Sequence, residues 1–257
     1  MEETEDETPA SAPPERAGAQ KPGGLAARLG QALAVAPTGA PDRPLLEAVL
    51  VFAAFYLVSF APIDPAAAGS GLGTAAYHGL LLLELAPKAL LVLYLMARSD
   101  GLVAFDVMAP RLSDLYRGLG AAIGAAAAVL APALVFSALG WRNPLLEGAL
   151  APRDPAFFLL PLIVLSSLAV GYGEELFFRS YLVRRLRQAG LPPPWAALAS
   201  TLVFGSAHGI QGLPGILAAT LLGGWLAWRW LEGRDLHEIA IGHAIYDAAV
   251  VIATLYA

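Results

Sequence analysis

From Leu45 onward the chain is a succession of apolar segments, most of them near the roughly 20 residues a helix needs to cross a hydrocarbon core. Read by hydropathy, the segments are 45–61, 77–97, 118–139, 157–186, 195–208, 213–231 and 236–256. The fourth is too long for one straight crossing at about 1.5 Å per residue. Pro161, or the glycines of Gly171-Tyr172-Gly173, would bend it. The expectation is an all-α, polytopic transmembrane helical bundle of seven spans, or eight if that segment splits. Composition agrees. Hydrophobic residues make up 57% and charged residues 14%, with a mean hydropathy of +0.62. These values exclude a disordered chain, a coiled coil and a nucleic-acid partner, and they make the lipid bilayer the chain's surroundings. Cysteine is absent, so no disulfide, thiol nucleophile or Cys-ligated metal is available.

Residues 1–43 differ from the rest. Five acids fall within the first seven residues, and Pro, Ala, Gly and Ser dominate the remainder of the segment. Such a segment buries too little apolar surface to offset the entropy of ordering, and it reads as a disordered tail. Leu25, Leu29 and Leu33 suggest at most a short interfacial helix within it. The membrane domain is then 44–257. Twelve Lys or Arg residues lie in the tail and the segments on its side of the membrane, against Arg142 and Arg153 on the other. That bias predicts a cytoplasmic amino terminus. The Ala-, Gly- and Arg-rich composition suggests a GC-rich bacterial genome, hence a bacterial plasma membrane.

Ionisable groups inside a membrane are costly, so each is a functional candidate. The densest set lies in the last third: Glu174, Glu175 and Arg179, then Phe204 and His208, then His243 and Asp247. On straight helices Glu174 stands roughly 15–20 Å from the basic group at Arg184, Arg185 and Arg187, and His208 about 20 Å above Trp195. His243 and Asp247 stand roughly 12–18 Å above Asp235. Three helices thus bring two carboxylates and two imidazoles to similar depth. Glu175 and Arg179 are spaced for an i,i+4 ion pair, which leaves Glu174, turned about 100° away, for chemistry. His243 and Asp247 share a face, as do Phe204 and His208.

In these residues the chain resembles the CAAX prenyl proteases and bacteriocin-processing (CPBP, or Abi) family of intramembrane glutamic endopeptidases. Its motifs EExxxR, FxxxH and HxxxN/D are matched by Glu174-Glu175-x-x-x-Arg179, Phe204-x-x-x-His208 and His243-x-x-x-Asp247, in order on successive spans. The resemblance covers roughly residues 155–250. It implies a peptidase acting on a protein or peptide substrate at the membrane, with prenylated termini, leader peptides and membrane regulators as candidate classes. Glu174 and His208 would activate a water, and His243 with Asp247 would stabilise the oxyanion. Glu175, Arg179 and Phe204 would support them. Burial makes a carboxylate a stronger base, an imidazole can hold the water, and donors gain strength in a low dielectric. Many members carry Asn where Asp247 stands. Asp247 donates a hydrogen bond only when protonated, and when ionised it would instead orient His243.

Other readings stay beside this one. Glu174, His208, His243 and Asp247 could together ligate Zn²⁺, although the resemblance implies no metal cofactor. A catalytically inactive scaffold, or a proton or solute pathway, could keep the same polar cluster. There is no HExxH and no GxGD, and the polar residues crowd into one half rather than forming paired repeats. Glu84 and Lys88 read as a neutralising pair in the second span. His78 and His237 read as solvated histidines at membrane edges. The three arginines at 184, 185 and 187 read as a cytoplasmic anchor, and Trp225, Trp228 and Trp230 as an interfacial belt.

Overall fold

The computed structural model describes residues 39–61, 64, 69, 71–105, 107–149, 157–233 and 235–256. Most of the expected tail, and with it the short helix suggested around Leu25–Leu33, lies outside these residues. Among those described every regular element is helical. In chain order they are α1 (Pro44–Tyr56), α2 (Ala75–Arg98), α3 (Leu112–Ala138), α4 (Pro144–Ala149) and α5 (Leu159–Gln188). Then come α6 (Pro193–Ser206), α7 (Gly212–Leu231) and α8 (Leu236–Tyr256). Five of them, α2, α3, α5, α7 and α8, are long and apolar enough to cross a membrane. The other two expected spans, α1 with its 3₁₀ extension to Phe60 and α6, are shorter than a crossing. Leu50, Leu83, Leu130, Leu134 and Leu202 stand exposed on the outer faces, as side chains bathed in lipid do. The protein is an integral membrane helical bundle.

Local signals explain several boundaries. Pro44 opens α1 at a position whose N–H would be unpaired anyway. The Thr74 side chain caps α2 by accepting from Tyr77 N at 3.2 Å. Asp114 accepts from Arg111 N at 2.6 Å, which starts α3 six residues before its apolar run.

The long α5 does not split, and it departs from regular geometry at neither Pro161 nor the 171–173 glycines. It widens instead to a π-helical stretch at Leu176–Leu182. A widened turn disturbs the backbone ladder and needs outside partners. Ser200 Oγ on α6 donates to Phe178 O within it at 2.6 Å. This places Glu175, Phe178 and Arg179 where α6, α7 and α8 meet.

α8 lies between α3 and α5 along seams of small residues. A Cβ on Gly171 would stand 2.6 Å from Ala240 O, and one on Gly242 would stand 2.6 Å from Ala121 Cβ and 3.0 Å from Gly118 O. Since α8 carries His243 one residue later, these contacts fix the depth of the imidazole. Gly242→Val is expected to cost about 1–3 kcal/mol through overpacking, seen as a lower Tm in detergent.

Candidate active site

His243 is the hub. Its Nδ1–H donates to Glu175 Oε1 at 2.8 Å, and its Nε2 stands 3.5 Å from Asp247 Oδ2 and 3.7 Å from Glu174 Oε2. The expected i,i+4 pair of Glu175 with Arg179 is present, with Nε 3.1 Å from Oε2 and side chains 0% and 1% exposed. One Glu175 oxygen thus faces the guanidinium while the other accepts from the imidazole.

Glu174 is placed differently. Its side chain is 16% exposed, it lines a cavity, and its Oε2 has no hydrogen-bond partner among the described residues. The adjacent glutamates therefore divide as helical spacing predicts: Glu175 inward and neutralised, Glu174 towards open space.

Phe204 holds the cluster together. Its ring centre lies 4.7 Å from the His208 ring, 5.8 Å from the His243 ring and 5.0 Å from the Phe178 ring. The Arg179 guanidinium stacks over its face at 4.6 Å. Arg179 Nη2 also donates to Gly223 O on α7 at 2.8 Å. No motif signals Gly223, yet a Cβ there would press on both Phe204 and Arg179.

His208 lies just past the end of α6, where Nδ1 meets Phe204 O at 2.9 Å. A carbonyl only accepts, so Nδ1 carries the proton and Nε2 is left as an acceptor. Its electrostatic neighbours are His243, Asp247 and Arg179 rather than Glu174.

Glu174, His208, His243 and Asp247 all line one cavity of about 890 Å³, whose remaining wall is mostly apolar. The structure thus gathers the four expected site residues around one space, with Glu175, Arg179 and Phe204 packed behind them. Among the described residues no group of three or more His, Asp or Glu side chains is arranged to hold a metal ion.

Several expectations outside the cluster need correction. His78 is buried. Its Nε2–H donates to Leu72 O at 2.9 Å, and Nδ1 meets Ser166 Oγ at 2.7 Å. His237 is also buried, donating from Nε2 to Met108 O at 2.8 Å and accepting at Nδ1 from Tyr172 OH at 3.0 Å. Position near a helix end said nothing of these partners, which arrive from other helices. Arg185 is fully buried, held by Glu47, Ser99 and Gln188, and so serves as a tie more than as an anchor. Trp225 turns inward and donates to Ala121 O at 2.8 Å, and Trp230 packs on the core, which leaves Trp228 as the exposed ring of the expected belt. Glu84 and Lys88 do pair, and Lys88 also donates to Phe55 O at 3.0 Å, tying α2 to α1.

Comparison with known proteins bears on the segment that carries this geometry. No curated protein and no solved structure gives a match. Residues 155–249 match a family model described as Type II CAAX prenyl endopeptidase Rce1-like. That segment holds all three motifs, and over it the chain is similar to the protease family that those motifs resemble.

Proposed function

We propose that the protein is an intramembrane endopeptidase that hydrolyses a peptide bond of a membrane-associated or lipidated substrate by a glutamate-activated water. Glu174 takes a proton from the water as its oxygen adds to the scissile carbonyl carbon. His208, with its acceptor nitrogen left over, holds the second water hydrogen. The tetrahedral oxyanion is met by His243 through Nε2–H, its charge balanced by Glu175 and by ionised Asp247. A protonated Asp247 would donate to the oxyanion as well. Collapse breaks the C–N bond, and the proton held by Glu174 passes to the leaving amine. The chain itself supplies every group this sequence uses, and no metal enters it. The observation that carries the reading is the contrast between Glu175, paired with Arg179 and hydrogen-bonded to His243, and Glu174, which faces the cavity with no hydrogen bond at Oε2 and only His243 at 3.7 Å. We assign the amino terminus to the cytoplasmic side from the positions of Lys and Arg, and the membrane to a bacterial plasma membrane from the Ala-, Gly- and Arg-rich composition.

The test compares peptide termini in host membranes carrying wild-type protein or Glu174→Ala at matched abundance. New termini that vanish in the variant are expected, and they would name the substrates. Identical profiles from folded protein would instead favour a scaffold or a solute pathway. Activity lost to chelators and restored by Zn²⁺ would replace the glutamic mechanism with a metal one.

A further inference from the structure

All parts of the cavity wall come from one end of the bundle. They are the start of α2, the end of α3, α4, the starts of α5 and α7, the turn after α6 and the end of α8. Its rim reaches Trp141, which is 46% exposed, and the exposed pair Arg142 and Glu147. Leu130 and Leu221 bring the wall out to the lipid-facing surface. The opposite end is closed. Beneath the cluster lie Phe177, Phe178, Tyr181, Leu236 and Ala240 in one packed core, and below them the buried links of His237 and Arg185.

Charge divides the same way. Arg98 ends α2, Arg111 and Arg117 begin α3, Arg184 and Arg187 end α5, and Arg229 ends α7, all at the closed end. Among the described residues Arg142 alone supplies positive charge at the open end. Basic segments are retained on the cytoplasmic side.

We infer that the cavity opens away from the cytoplasm, so that its substrate is a membrane-anchored peptide whose scissile bond lies in or beyond the non-cytoplasmic leaflet. This rests on the catalytic reading for the word substrate. The direction of opening does not depend on it. The apolar wall would take the hydrophobic stretch or acyl chain beside the scissile bond, while the polar cluster at the floor receives the peptide group.

The chain has no cysteine, so each introduced thiol reports alone. Single variants Ser137→Cys and Glu147→Cys at the cavity, and Ala189→Cys at the basic end, would be expressed as full chains in spheroplasts. They would be treated with a membrane-impermeant maleimide before or after lysis. The first two are expected to label fully in intact spheroplasts, and Ala189→Cys only after lysis. Labelling of Ala189→Cys from outside, or protection of both cavity thiols until lysis, overturns the inference. A protein with no peptidase activity would still label in the expected pattern, so the two readings fail separately. Two cavity positions guard against one variant that does not fold.

Discussion

Glu174→Gln is expected to lower turnover by about 10²–10⁴-fold while the protein stays folded, the range for losing a positioned general base. Gln is nearly isosteric with Glu, and Glu174 Oε2 holds no hydrogen bond whose loss would loosen the helix. Peptide hydrolysis by purified wild type and variant in the same detergent, with melting curves recorded on both, checks the two halves together. Undiminished turnover would sink the assignment of Glu174 as base. A collapsed melting curve would mean that Glu174 bears structural load and that its neighbour was mistaken for the support.

Arg179→Met should have the opposite signature. The substitution leaves the Glu175 carboxylate, 0% exposed, without its guanidinium. Breaking a buried pair by removing one partner costs about 3–5 kcal/mol, because the remaining charge is uncompensated. The stack on Phe204 and the bond to Gly223 O go with it. Folded yield and Tm should therefore fall sharply, and activity should fall with the folded fraction. Met keeps much of the stem's apolar bulk, so a lost charge rather than a void would be the cause. A Tm within error of wild type would show that α5 holds Glu175 neutral by other means. The fully buried Glu175 is thus the structural counterpart of the cavity-facing Glu174 beside it.

What the sequence made readable was periodic. Spacing of four separated Glu174 from Glu175 and paired Glu84 with Lys88, because helical neighbours along a face are set by geometry alone. The three motifs and their order carried the resemblance to a protease family. What escaped was long-range. The bond from His243 to Glu175 spans 68 positions, and the carbonyl of Gly223 that receives Arg179 lies 44 away. The widening of α5 at Leu176–Leu182 has no local signature. Its run of Leu, Phe and Tyr reads as ordinary helix, and the departure becomes visible only with Ser200 against Phe178 O. His78, His237 and Arg185 were misread for the same reason. Polarity near a helix end resembles exposure until the partners from other helices are known.

The two short helices bear on how water reaches a site walled by apolar side chains. α1 with its 3₁₀ turn spans about 27 Å and α6, with 14 residues, about 21 Å, against a hydrocarbon core about 30 Å thick. They end beside each other, with the Leu57–Phe60 turn against the Gly209–Gln211 turn. A hydrophobic length below the local thickness is met by deforming the bilayer, at a fraction of a kcal/mol per Å of mismatch. Thinning of the bilayer around α6 would bring headgroups and water down next to His208, which lies just past the end of that helix. On the proposed mechanism, lipid acyl length would then control hydrolysis, with thick, stiff membranes starving the reaction of its second reactant and thin ones supplying it.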